Sequence, residues 1–227
     1  MRKVAIFDID GTIFRSSLLI EVTNALIAEG VFPASTRKMY QKPFENWLNR
    51  KAGYDKYIAA VVKAFDKHIQ GVERAVFLRI AQKVLDYQSH RVYRYTRDLI
   101  TTLRKRGYFL LAISHSPKDM VDAFTKHWGF SKVYGRIFEL DSQNCFTGKI
   151  LYRELIDDKA TILQRAISKE KLSLKSSIGV GDSEGDIPML KMVEQPICFN
   201  PNAVLYKEAK KRGWEIVVER KDVIYVL

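Results

Sequence analysis

At 227 residues, with 47% apolar and 28% charged side chains, the chain has the size and balance of a soluble globular protein, one large domain or a core with an insertion. Lys and Arg number 38 against 26 Asp and Glu, and the formal charge of +12 favours anionic partners: phosphorylated metabolites, nucleic acid or lipid headgroups. No run approaches the roughly 20 apolar residues of a membrane span, and two cysteines, Cys145 and Cys198, are too few for a disulfide framework, so a cytoplasmic protein is expected.

The first element is "VAIFDIDGTIF", residues 4–14, an apolar run that reads as a buried strand ending in paired acids. Asp8 and Asp10 interrupt it where a secretion signal would continue. If the strand runs through them, their side chains point to one side and can share a ligand. Two like charges that close require a cation or a proton between them. A turn is the competing reading of an isolated D-x-D-G, whereas an EF-hand is excluded because Thr12 stands where that loop needs an acid.

Residues 16–90 show apolar side chains at three- and four-residue spacing over 21–28, 44–48, 57–69 and 72–85, with breaks near 30–35, at Gly53 and at Gly71. The spacing predicts a block of helices. The basic stretch "YRYTRDLITTLRKRG" that follows places Leu99, Ile100 and Leu103 on one helical face, so it reads as a solvated helix before it reads as a nucleic-acid surface.

From Tyr108 the texture alternates between strand and helix. "YFLLAIS" is a short buried strand, and "SPKDMVDAFTKHWG" is a helix with Ser116 as its N-cap. "KVYGRIFEL" and "CFTGKIL" predict a hairpin. Then come helix "DKATILQRAISKEK", strand "SSIGVG", short helix "IPMLKMV", strand "PICFN", helix "NAVLYKEAKKRG" and strand "WEIVVE". This alternation predicts an α/β fold, a Rossmann-like doubly wound parallel sheet with an inserted all-helical block. The expected division is a core of residues 1–15 and 91–227 and a helical insertion of residues 16–90.

In such sheets ligands bind beyond the carboxyl ends of the strands. A second acidic cluster, "GVGDSEGDIPML", ends another β-rich run with Asp182 and then Asp186, the latter also a candidate helix N-cap. Its glycines do not complete a dinucleotide fingerprint, and no phosphate-binding P-loop occurs. Four carboxylates at two strand ends would make a hard oxygen site suited to Mg²⁺. Ser114 ends the strand "LLAIS" ahead of a helix, a setting that favours phosphate. Lys159 lies in a first helical turn, where the helix dipole disfavours a cation, so something else is expected to hold it.

"DIDGT", Ser114 in "ISHS", Lys159 in "DDKA" and "GDSEGD" resemble, in order, the four motifs of the haloacid dehalogenase-like hydrolases. The helical insertion after the first motif is similar to the cap of the subgroup that includes phosphoserine phosphatase. The resemblance implies a phosphatase acting on a small phosphorylated metabolite. Asp8 would be the nucleophile that forms an aspartyl-phosphate, and Asp10 the acid and then the base. Ser114, the backbone N–H of His115 and Lys159 would cradle the phosphoryl group. Mg²⁺ would be held by Asp8, the Asp10 carbonyl and Asp182, with Asp186 completing or orienting the shell.

Two departures argue against phosphoserine as the substrate: Ser17 stands where those enzymes carry an acid, the next acid being Glu21, and Gly185 replaces an Asn before the last motif Asp. Aromatic Trp47, Tyr54 and Tyr57, with Arg37, Arg50, Lys51 and Lys56 nearby, receive no specificity role from sequence. The rival readings are a phosphotransferase or phosphomutase using the same intermediate, and an idle basic nucleic-acid-binding protein on this fold.

Overall fold

The computed structural model describes all 227 residues. The chain starts with strand β1 (Arg2–Phe7) and then makes four helices, α1 (Leu18–Ala28), α2 (Lys38–Leu48), α3 (Tyr54–His68) and α4 (Arg74–Gln88). Helix α5 (Arg94–Lys105) leads back to β2 (Phe109–Pro117), α6 (Lys118–Thr125), and the hairpin of β3 (Lys132–Leu140) and β4 (Phe146–Leu151). Next are α7 (Arg153–Ile156), α8 (Lys159–Glu170), β5 (Leu172–Gly181), α9 (Ile187–Leu190) and β6 (Gln195–Phe199). Helix α10 (Ala203–Arg212) and the pair β7 (Glu215–Arg220) and β8 (Val223–Val226) complete the chain.

The eight strands form one sheet in the order β4-β3-β2-β1-β5-β6-β7-β8. Pairing is parallel from β3 through β7 and antiparallel only at the two outer pairs. Strand alternation explains why both faces are covered. Val4 and Ile6 join a cluster with Leu111, Ile162 and Leu205, whereas Ala5 and Phe7 join the opposite cluster with Leu18, Phe65 and Ile100. The strand order reverses direction between β1 and β5, which is where an open α/β sheet leaves a crevice.

The second cluster also contains Leu26, Val61, Ile80 and Leu85 of the helical block. These helices therefore share apolar core with the sheet. They are also tied to the hairpin by backbone bonds: Gly71 N–H to Phe146 O at 2.8 Å, Phe146 N–H to Val72 O at 2.9 Å, and Arg74 N–H to Asn144 O at 2.9 Å. Rings of Phe65 and Phe138 (5.5 Å) and of Phe77 and Phe146 (5.4 Å) pack at the same junction.

Three sequence expectations need correction. Strand β1 ends at Phe7, so Asp8 and Asp10 lie just past it; the chain turns at residues 11–13, and their side chains take different partners. Strand β2 runs on through Ser116 to Pro117, and α6 starts only at Lys118, because the residue before a proline prefers extended backbone. Helix α2 begins at Lys38, continuing a 3₁₀ turn, and holds Pro43 inside. Strand β8 is an addition to the expected elements; its four residues, Val223–Val226, are apolar without alternation, a run too short to separate from a chain end. No helix is long and apolar enough to cross a membrane, and both cysteines are free thiols.

Candidate active site

Phe7 of β1 pairs in register with Val180 of β5, so Asp8 and Asp182 leave two adjacent strand ends side by side. The Asp8 N–H extends the ladder by donating to Val180 O at 3.0 Å. Asp8 is only 5% exposed, and Lys159, brought in by the first turn of α8, is 3% exposed. The Lys159 ammonium donates to Asp8 Oδ1 at 2.6 Å and to Asp186 Oδ1 at 2.5 Å. The cation that local helix electrostatics disfavours is thus held by two acids from elsewhere in the chain.

Asp186 does not cap α9. Its second oxygen turns back and accepts from the N–H groups of Asp182 and Ser183, each at 3.0 Å, and from Ser183 Oγ at 3.2 Å. The fold-back needs a bare backbone: a Cβ at Gly181 would run into the Asp186 carboxylate. Gly11 plays the same part for Asp182, and its φ of +80° is a conformation that side chains rarely adopt. The glycines of both motifs therefore make room for carboxylates.

Carboxylate oxygens of Asp8, Asp182 and Asp186 lie within 4.8 Å of one another. Burial pushes the Asp8 carboxyl up to about 7; Lys159 opposes that rise, and Asp186 and Asp10 add to it. Asp182 is held well above the usual carboxylate range, first by burial and then by repulsion from Asp8 and Asp186. Burial works against the Lys159 charge, yet Asp186 and Asp8 outweigh it and raise its pKa. One ammonium against three carboxylates leaves the cluster short of positive charge. That deficit, with an all-oxygen donor set, fits a divalent cation of the Mg²⁺ type.

Asp10 faces the other way. Its Oδ1 accepts the N–H of Leu18 at the start of α1 at 2.6 Å, and its Oδ2 accepts from Ser114 Oγ at 2.6 Å and Ser116 Oγ at 2.9 Å. Three donors onto one carboxyl group fix its position. Ser114 and Ser116 reach the same acid because residues two apart share a side of an extended strand. His115 lies between them in β2, so alternation directs its ring away; burial there lowers its pKa to about 4, and Nε2 is buried without a partner.

The structure thus brings Asp8, Lys159, Asp182 and Asp186 into one cluster and joins Asp10 to Ser114 beside it. The His115 side chain belongs to neither. Ser116 escaped the sequence reading, which took it for a helix cap; the i, i+2 spacing from Ser114 was the available signal. Tyr54, one of the aromatic residues to which the sequence assigned no specificity role, lines the same cleft as Gly11 and Asp182, and burial raises its phenol pKa, with Asp10 and Asp182 adding to the rise.

A model of the haloacid dehalogenase-like hydrolase family matches residues 5–191. The chain is 25% identical over 222 residues to a histidinol-phosphatase of Neisseria meningitidis serogroup C, covering 96% of this chain and 99% of that protein. It is 25% identical over 220 residues to phosphoserine phosphatase SerB1 of Mycobacterium tuberculosis, covering 95% of this chain and 70% of that protein. Among solved structures, a phospho-aspartyl intermediate analogue of phosphoserine phosphatase superposes with a TM-score of 0.65 at 20% identity, covering 97% of this chain and 95% of that one.

Proposed function

Given that the chain belongs to the haloacid dehalogenase-like hydrolase family, we propose that it is a phosphatase that hydrolyses a small phosphomonoester through an aspartyl-phosphate intermediate on Asp8. The observation that carries this reading is the buried Lys159 ammonium, bonded to Asp8 and Asp186 beside Asp182 at the sheet's switch point. Phosphoryl transfer needs such a site, because positioning and charge neutralisation make up most of its catalysis.

Asp8 Oδ attacks phosphorus as the bond from phosphorus to the leaving oxygen breaks, and Asp10 delivers a proton to that oxygen. Asp10 then takes a proton from water, the water oxygen attacks phosphorus, and the Asp8–phosphorus bond breaks to release phosphate. The hydrogen bonds from Leu18, Ser114 and Ser116 fix the position of the Asp10 carboxyl group for both transfers. When a phosphoryl group arrives, Ser114 redirects its proton to a phosphoryl oxygen, joining the His115 N–H and Lys159. Asp8, the Asp10 carbonyl, Asp182 and Asp186 would hold or orient Mg²⁺, which when bound neutralises charge on the phosphoryl oxygens.

We assign residues 16–90 to a cap over a core of residues 1–15 and 91–227, acting on a phosphorylated metabolite in the cytoplasm. The relatives' names agree on the reaction and differ on the alcohol, histidinol in one and serine in the other. The test is hydrolysis of a chromogenic aryl phosphate with Mg²⁺, with EDTA and with Asp8→Asn. Turnover is expected only in the first condition, with inorganic phosphate released. Full activity in Asp8→Asn, or no Mg²⁺-dependent turnover, overturns the mechanism.

A further inference from the structure

Next to the acid cluster opens a cleft of about 480 Å³, lined by Gly11 and Asp182 together with Phe44 and Trp47. One wall is aromatic and comes entirely from α2 and α3. Trp47 stacks on Tyr57 with ring centroids 5.6 Å apart and planes 16° from parallel. Tyr54 meets Trp47 edge-on at 5.4 Å, and Phe44 lies 5.1 Å from Tyr57. Tyr93, with the Arg15 guanidinium 5.6 Å from its ring centroid, and Asn200 and Asn202 line the cleft as well.

Of Phe44, Trp47, Tyr54 and Tyr57 only Tyr57 is buried, at 5% exposure, while Phe44 is 36% exposed and Trp47 and Tyr54 are half-buried. An open aromatic wall beside a phosphoryl site is the arrangement that binds a flat apolar group and leaves its polar attachment at the acids. The cleft is also large for a three-carbon alcohol, which would leave most of it to water. Glu21, which lines it too, already has partners within the chain: Ser16 Oγ donates to one oxygen at 2.6 Å, Gln88 Nε2 to the other at 2.7 Å, and the Arg91 guanidinium lies 3.8 Å away.

Resting on the phosphatase reading, we propose that the alcohol released by this site carries a planar aromatic or heteroaromatic ring, held against the aromatic side of the cleft formed by Phe44, Trp47 and Tyr54. The ring lies outward along the aromatic wall while the phosphoryl group lies at Asp8. Trp47 is the specificity-determining residue of this slot.

The experiment compares kcat/KM for pairs of primary-alcohol phosphates that differ in the ring: nucleoside 5′-monophosphates against ribose 5-phosphate, and 2-phenylethyl phosphate against ethyl phosphate. Each pair shares its type of leaving oxygen, so intrinsic reactivity largely cancels. Base–aromatic stacking of about 1–3 kcal/mol corresponds to a preference of about 5- to 150-fold for the ring ester, expressed mainly in KM. Trp47→Ala should collapse that ratio towards one, and Trp47→Phe should retain most of it. Calorimetric binding of the same pairs to Asp8→Asn gives the preference without turnover. Equal efficiency within the pairs, a ratio unchanged in Trp47→Ala, or phosphoserine outranking every ring ester overturns this inference and leaves the phosphatase reading standing. Absence of turnover with every phosphomonoester, the chromogenic one included, overturns both.

Discussion

Lys159 occupies a position that opposes its own charge, in the first turn of α8 and 3% exposed, and it stays charged because Asp8 and Asp186 flank it. Removing one partner of a buried ion pair strands the other, at about 3–5 kcal/mol. Lys159→Met is therefore expected to lose stability on that order in metal-free urea unfolding, and its kcat should fall by about 10²–10³, as when one preorganised donor to a developing charge is deleted. His115 carries a second residue-scale prediction. Its folded pKa, about 4, lies below the ordinary histidine value of 6.5, so the unfolded chain binds the extra proton between those values. The neutral ring's contribution is complete above pH 6.5 and is lost as pH falls from 6.5 towards 4. His115→Gln should flatten the fall in unfolding free energy across that window by up to one proton's worth of slope; an unchanged slope contradicts the assignment. The acids and the lysine were legible in the sequence from residue type and spacing. The orientation of Asp10 was not, because it depends on where β1 stops and on the N–H of Leu18.

At the scale of elements, α8 places Lys159, and Asp158 starts α8. The Asp158 carboxylate accepts from Ala160 N–H at 3.0 Å and Thr161 N–H at 3.3 Å, satisfying backbone donors that have no partner within the helix. Asp158→Ala should cost about 1 kcal/mol, which for a chain of this size is a fall of roughly 2–4 °C in Tm. Calorimetry checks the shift, and a parallel drop in kcat is expected because the cap sits next to Lys159. The strands and helices of the second half were readable because their apolar periods switch cleanly between two and 3.6 residues. Ser116 was misread because Ser-Pro is as good a helix opening as it is a strand ending; β2 extends because Pro117 reaches a partner in Arg136 of β3. The junction of the helical block with the β3–β4 hairpin was invisible, since a bond such as Gly71 N–H to Phe146 O leaves no pattern in side chains.

For the whole molecule, the chain carries a formal charge of +12, and its site is proposed to take a dianionic ester. Long-range attraction raises the encounter rate and is screened beyond about 10 Å at 0.1 M salt. The expected outcome is a several-fold fall in kcat/KM between low and roughly 0.5 M salt with kcat little changed; a salt-independent kcat/KM would remove steering from the account. Composition, periodicity and four short motifs determined the fold class and the identity of the acids, because burial pattern and residue chemistry are properties of short stretches of chain. Only the tertiary structure decided that Lys159 meets Asp8 across 151 positions, that Asp10 turns to Ser114 and Ser116, and that Trp47 and Tyr54 form an open wall beside them. Those are distances between elements, set by how the sheet orders its strands and how the helices lie over it, and no local pattern encodes them.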